Sequence, residues 1–448
     1  ATTLGRPSTT SAVRRAARLV AVAALIAAPA GAQVPAPPQS NPIALTGATI
    51  HTITNGVIEN GTILFENGVI TAVGTAVDVP ANAQRVDATG KHIYPGLIDA
   101  YSAMGLEEIG AVDVTHDTDE LGDFNPNVHA EVAVNPESRH IGTARSNGVL
   151  VTLTTPEGGL VSGLSAAMML DGWTWEDMTL KSGAALNVIW PDPRDDADNG
   201  DDEEENGEDA PGYAEQIRRL REIFASARAY RDAQASGIAH DTDSRWAAMV
   251  PVVNGEVPVV VEANNVQQIQ DAIAWAEAEN VRLVLRGGED ALYVAEHLAA
   301  KQIPVLLTSV MDGPNRSWEG YDANYSLPAL LHEKGVRFAI VGDASAPYTH
   351  RLPYQAGVSV AFGLPAEEAL RAVTLYPAQF MGIDERVGSL EPGKDATLLI
   401  TTGNPLDFFA DVEQAYVQGR KIDMMDIHKQ LYQKYMLKLR QLKVTTDH

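Results

Sequence analysis

The side chains able to do chemistry are unevenly spread along these 448 residues, and cysteine is absent from them. Without thiols the chain has no thiolate zinc site, no cysteine nucleophile, no lipid-modified cysteine and no disulfide staple. His116, Asp117, Asp119, Glu120 and His129 crowd one segment with metal-ligating types. Their irregular spacing offers no histidine pair at i and i+4, the grip of a helical zinc site, and the segment reads as a loop. The acidic run from Asp195 to Glu205 suggests calcium first. A calcium loop needs oxygen donors at alternate positions. Starting at Asp195 puts Ala197 third, and starting at Asp196 puts Gly200 fifth, so residues 192–212 read as a solvated, disordered insertion. Ser102, Ser309 and Ser345 lack a recognisable histidine partner for a nucleophilic triad. His350 follows Asp343 by seven residues and reads either as an acid–base group or as a surface-loop residue. Gly158-Gly159 either offers backbone donors to an anion or makes a turn.

Composition narrows the partners. Apolar residues make up 45% of the chain, enough for one large domain with a sizeable core and a smaller companion. The formal charge of -26 repels nucleic acid and anionic lipid, so neither is expected. Residues 1–32 read as a secretory signal: Arg14, Arg15 and Arg18 are basic, Leu19 to Ala28 is apolar but short, and Ala30-Gly31-Ala32 offers a cleavage site. No later segment is apolar enough to span a bilayer, so a periplasmic or secreted location is expected. Residues 33–42 are proline-rich and read as a flexible leader.

The elements that must position any site fall into two patterns. Residues 43–94 hold short strand-like runs separated by Asn55-Gly56, Asn60-Gly61 and Asn67-Gly68, dipeptides suited to tight hairpins. Strands return at Ala396 to Thr401 and Gln414 to Val417, so 43–94 plus 385–423 read as one small β-module interrupted by what lies between. Residues 95–384 alternate buried strands with helices. Val149 to Thr154, Val257 to Val261, Val281 to Leu285, Ile303 to Leu307 and Val336 to Val341 are strand-length apolar runs. Such alternation predicts a parallel α/β sheet with right-handed crossovers, either an eight-stranded barrel or a doubly wound sheet. Residues 424–448 read as a last helix and tail, with Leu431, Met436, Leu439 and Leu442 placed to pack on the body.

Six phrases, in order across both ends, resemble the amidohydrolase superfamily, in the neighbourhood of secreted imidazolonepropionase-like members. At the front stand Gly47-Ala48-Thr49-Ile50-His51-Thr52, Asn67-Gly68-Val69-Ile70-Thr71-Ala72-Val73-Gly74 and Pro95-Gly96-Leu97-Ile98-Asp99. At the back stand Thr374-Leu375-Tyr376-Pro377-Ala378, Gly388-Ser389-Leu390-Glu391-Pro392-Gly393-Lys394-Asp395-Ala396 and Gly419-Arg420. The resemblance implies a (β/α)8 TIM barrel inserted in a small composite β-sandwich, with the site at the C-terminal mouth of the barrel. Members of the family use zinc or another divalent metal there to acidify a water and polarise a carbonyl. The family's ligands are an HxH pair after the first strand, histidines after the fifth and sixth, an aspartate after the eighth, and often a lysine or glutamate after the fourth.

Carried over one position at a time, the resemblance is incomplete. Tyr101 and Ala103 stand where the HxH pair belongs, Glu262 and Asn264 where the fifth strand ends, and Gly287 where the sixth-strand histidine belongs. Asp343 matches the family aspartate, and no residue is assigned to the fourth-strand position. The implied barrel-mouth pocket is Tyr101, Ser102, Glu262, Asn264, Arg286, Glu289 and Asp343, with Asp343 as the catalytic candidate, no metal ligand set and no cofactor expected. The alternative for Asp343 is a helix cap or an ion pair. Arg286 is expected to supply the positive charge of the missing metal by bridging Glu262 or Asp343; the alternative is that it faces solvent. These expectations describe a secreted amidohydrolase-like protein that is metal-free and catalytically impaired. It would act as a binding protein or as the non-catalytic subunit of a homo-oligomer or of a hetero-oligomer with an active amidohydrolase. Two other readings stay open: an active hydrolase of carbon–nitrogen bonds using Asp343, and a periplasmic receptor for a small molecule.

Overall fold

The computed structural model describes residues 34–193, 211–237, 241–308 and 310–442. The signal-like residues 1–32, the acidic run from Asp195 to Glu205, and Ser309 lie outside the described residues. The chain opens with β1 (Ile43–His51), β2 (Val57–Glu66), β3 (Val69–Gly74), β4 (Gln84–Asp87) and β5 (His92–Pro95). The Asn67-Gly68 hairpin joins β2 to β3, with both residues at positive φ (52° and 82°) as a tight right-twisting turn requires. Asn60-Gly61 does not separate two strands. It lies inside β2 beside irregular pairing with β1, and Gly61 leaves room for Ile50, whose Cδ1 would sit 2.7 Å from an added Cβ.

Eight further strands follow: β6 (Leu97–Ser102), β7 (Val149–Thr154), β8 (Val161–Met169), β9 (Thr179–Ile189), β10 (Val259–Ala263), β11 (Leu283–Gly287), β12 (Val305–Leu307) and β13 (Phe338–Ile340). They hydrogen-bond in chain order into one sheet. Its two edges come together where the Ala103 N–H donates to the Ala344 carbonyl at 2.8 Å, so the sheet curls into a nearly closed barrel. The second and fourth positions run parallel to their outer neighbours, but β8, in the third position, is antiparallel to both β7 and β9. The cause is connection length. Only 155–160 join β7 to β8, too few residues to cross back for a parallel strand. The barrel therefore departs from strict β/α alternation at its third strand, and the hairpin 155–160 lies at the mouth where a crossover would otherwise start.

The chain then returns to the first sheet with β14 (Leu398–Thr401), β15 (Val412–Val417) and β16 (Arg420–Lys421). The order is β16-β15-β14-β5-β1-β2-β3, with β4 paired to β1. Period-two alternation lets this sheet bury both faces: Leu398, Ile400 and Tyr416 join its own core, while Leu399, Ala415 and Val417 join the barrel's. Arg145, Asp171 and Arg420 tie the two sheets together with buried ion pairs of 3.0 and 3.2 Å. The last helix, Ile427–Gln441, buries none of its residues. Of the four residues expected to pack on the body, Leu431 is 39% and Leu442 62% exposed, while Met436 and Leu439 are half-buried.

Candidate functional site

Two of the strand ends at the mouth are set by local chemistry. β10 stops after Ala263 because Asn265 caps the helix Val266–Glu279, with Gln268 reaching back in a full capping box. β11 stops at Gly287, which with Gly288 takes positive φ (89° and 67°). β6 carries Tyr101 inward, 4% exposed. Glu262 and Arg286 are register partners on adjacent parallel strands, so their side chains leave the sheet on the same side.

Those side chains form one cluster. Arg286 donates through Nη2 to the Glu262 carboxylate, and its guanidinium lies over the Tyr101 ring, 4.0 Å from the centroid. The Tyr101 hydroxyl donates to the Glu157 carboxylate. The four side chains, with Gly158 and Thr308, bound a cavity of about 280 Å³ at the barrel mouth. Burial works against the Arg286 charge, but Tyr101, Glu262 and Glu157 outweigh it and hold its pKa above the ordinary value. Burial likewise pushes the Tyr101 phenol well up; Arg286 opposes this and Glu157 adds to it, so the hydroxyl stays protonated and can donate.

The structure thus brings Tyr101, Glu262 and Arg286 together and leaves the other expected pocket residues off this wall. Ser102 is fully buried, with its Oγ 2.7 Å from Thr349 Oγ1 and accepting from the Met104 N–H at 3.1 Å. Asn264 sits where β10 ends, and its carboxamide fills the space beside Gly287: an added Cβ would lie 2.1 Å from Asn264 Oδ1. Glu289 is half-buried, and burial and Asp290 raise its pKa. Asp343 also misses the cavity, although its neighbour Ala344 lines it. It accepts from the Ser345 N–H at 3.2 Å and lies 3.9 Å from Arg351, and its pKa is raised by burial against both of these. Of the two alternatives the sequence left for Asp343, the ion pair is present, while it does not cap the short helix Ala346–Arg351. The Arg286 bridge goes to Glu262 and not to Asp343.

Sequence reasoning missed Glu157. The signal was present: a second strand-length run begins at Val161, too soon after Thr154 for a crossover, which puts the hairpin and its glutamate at the mouth. The other candidates disperse. His116 contacts the Ile109 carbonyl at 3.2 Å, His129 lies 3.1 Å from Glu131, and His350 lies 2.8 Å from the Pro347 carbonyl. Among the described residues no three His, Cys, Asp or Glu side chains gather as a metal cage. The mouth itself does not fit a divalent cation. Ala103 brings no donor, Tyr101 is held as a protonated phenol, and a guanidinium occupies the wall. A histidine at Gly287 would have to displace Asn264 and adopt a strained backbone.

Comparison with known proteins agrees with the fold. The Amidohydrolase family pattern matches residues 267–422. The chain is 24% identical over 386 residues to the amidohydrolase tasK of Hapsidospora irregularis, a match covering 80% of this chain and 39% of that protein. It is 40% identical over 82 residues to the imidazolonepropionase of Syntrophobacter fumaroxidans, covering 18% of this chain and 19% of the relative. The chain therefore spans well under half the length of these curated relatives. The crystal structure of an amidohydrolase from Thermotoga maritima MSB8 superimposes with a TM-score of 0.75 at 26% identity, covering 85% of this chain and 99% of the other. With the barrel, the returning sheet and these matches in place, the chain belongs to the amidohydrolase superfamily.

Proposed function

We propose that this chain is a secreted member of the superfamily that binds a small polar molecule at its barrel mouth without a metal. In this reading it does not hydrolyse that molecule, and it acts alone or as the non-catalytic subunit of an amidohydrolase assembly. The observation that supports this reading is the Arg286 guanidinium, stacked on Tyr101 and paired with Glu262 at the mouth. The arginine stabilises carboxylates that would otherwise repel across the cavity, and it keeps its charge at any working pH. It cannot acidify a water as a metal does, and without such Lewis-acid help amide hydrolysis forfeits several kcal/mol of transition-state stabilisation. Among the described residues Glu262 is the only hydrogen-bond partner of Arg286, so its remaining N–H groups are open to an acceptor in the cavity. Glu157 and Glu262 offer acceptors to a donor on the same ligand. Asp343 sits off the cavity wall, which makes the reading with Asp343 as general base the weaker one.

The test is elemental analysis of the purified full chain after exposure to zinc, manganese and iron, alongside hydrolysis assays on cyclic amides, N-acyl amino acids and dipeptides. No stoichiometric metal and no turnover are expected, with thermal stabilisation by a subset of the same compounds. A tightly held metal whose removal abolishes turnover overturns the proposal.

A further inference from the structure

A second concave surface adjoins the loops that follow β12 and β13. The helix Leu352–Ala361 and the loop that follows β14 enclose a groove of about 730 Å³, walled by Met311, Tyr354, Val358, Leu406 and Phe408. The loop lies directly on the helix because residue 357 is glycine; an added Cβ there would sit 2.3 Å from the Leu406 carbonyl oxygen. Phe408 is 76% and Phe409 88% exposed at its edge, a large apolar display for a chain of this charge. Asp407 lines the groove, Asp411 bears electrostatically on Tyr354, and exposed Asp312 follows Met311. The one arginine there, Arg351, faces Asp343 at 3.9 Å.

The C-terminal helix Ile427–Gln441 has the complementary character. It carries Lys429, Lys434, Lys438 and Arg440 and no acid, in a chain of formal charge -26. Leu431, Tyr435 and Leu442 recur at helical spacing and are 39%, 53% and 62% exposed. Among the described residues its hydrogen bonds to the body lie at its start, where Asp426 accepts from the Lys429 N–H at 2.8 Å and from Ser146. None of its residues lines the groove, yet its first turn stands at the groove's edge: the His428 ring packs edge-on to His350, 6.1 Å between centroids, and His350 lines the groove.

We infer that this face pairs two copies of the chain, the C-terminal helix of each lying in the groove of the other. Helix and groove adjoin on one face, so a single two-fold axis satisfies both contacts at once, as an isologous interface requires. A helix of this length, about 22 Å, presents an apolar stripe to the apolar floor while Lys434 and Lys438, along one edge of that stripe, meet the aspartates of the rim. An anionic membrane is the poorer partner for the same helix, because the body that would follow it to the surface is strongly negative. This inference does not depend on the reading of the barrel mouth.

The test uses the full chain in sedimentation equilibrium and light scattering, over a range of protein and salt concentrations. Twice the 47.9 kDa chain mass is expected, with dissociation favoured by salt. Tyr435→Glu on the helix and Phe408→Glu at the groove both change exposed residues, so melting of the monomer should not move. Each is expected to weaken pairing at least about thirtyfold. A mixture of the two variants holds one intact contact and one altered on both sides, so with additive effects it should pair no better than the variants alone. A wild-type monomer at every concentration, or a dimer indifferent to either variant, overturns the inference. So does a monomer that binds anionic vesicles through Tyr435.

Discussion

Replacing Arg286 with alanine tests the central cluster most directly. Breaking one side of a fully buried ion pair costs about 3–5 kcal/mol. That figure is too large here, because the Glu262 side chain is 36% exposed and rehydrates across the cavity once its partner is gone. Arg286 itself is only 9% exposed, so its packing and its stacking on Tyr101 are lost in a largely desolvated setting. The stacking term is worth up to about 2 kcal/mol where water is excluded. Together these give about 2–3 kcal/mol. Unfolding entropy near 2.1 cal/mol/K per residue makes each kcal/mol worth only about 1 °C in a chain this long, so calorimetry should show a fall of about 2–3 °C. Urea melts should show the same loss in the midpoint with an unchanged slope. Arg286→Lys should fall between, since it keeps the charge but not the planar fork or the stack. A double-mutant cycle with Tyr101→Leu should show coupling of about 1–2 kcal/mol. An Arg286→Ala protein that melts with the wild type, or a cycle without coupling, refutes the argument that this arginine holds the mouth together.

Three other perturbations follow from the same coordinates. Asp171→Ala should cost about 3 kcal/mol in urea melts, because it removes a buried carboxylate from beside Arg145, whose side chain is 6% exposed, and from beside Arg420. Asp99 is fully buried, accepts N–H bonds from Gly342 at 3.3 Å, and is held well above the usual carboxylate range by burial. A raised acid pKa binds protons in the folded state first, so stability falls as pH rises from about 4. Asp99→Asn removes that fall, and the variant should therefore gain on the wild type in melts compared between pH 4 and pH 7. His51 is pushed down to about 4, first by burial and then by His92, whose Nδ1 lies 3.0 Å away. The unfolded chain then takes up the proton first, and stability is lost as pH falls from about 6.5 toward 4. His51→Asn should flatten that limb of the pH–stability curve, and an unaltered limb assigns it to other groups.

Part of this fold and site could be read directly. Valine- and leucine-rich runs at residues 257–261 and 281–285, broken by Pro258 and Arg282, mark strands buried on both faces, and β10 and β11 lie within two residues of them. Arg286 was legible as a pocket residue because it ends such a run, where the resemblance puts the site, and it lines the cavity. Asp343 was legible as a position but not as a neighbour. The chain beyond β13 turns it onto Ser345 and Arg351, and turn geometry of that kind is not written in residue spacing. β8 and β9 were missed because Ser162, Gly163, Ser165 and the alanines dilute their hydrophobic signal, although β8 is buried along its whole length.

By itself the sequence determined which side chains stand at each position. Residue type is local: no fold turns Tyr101, Ala103 and Gly287 into imidazoles, so their types were readable from the sequence alone. Only the tertiary structure decided what stands in their place. Glu157 reaches the mouth through an antiparallel strand, Arg286 chooses Glu262 over Asp343 through register, and the terminal helix stays uncovered through the path of the chain after Asp426. Each of these depends on which distant segments meet. That is settled by the summed packing of the whole barrel, to which any one residue contributes little.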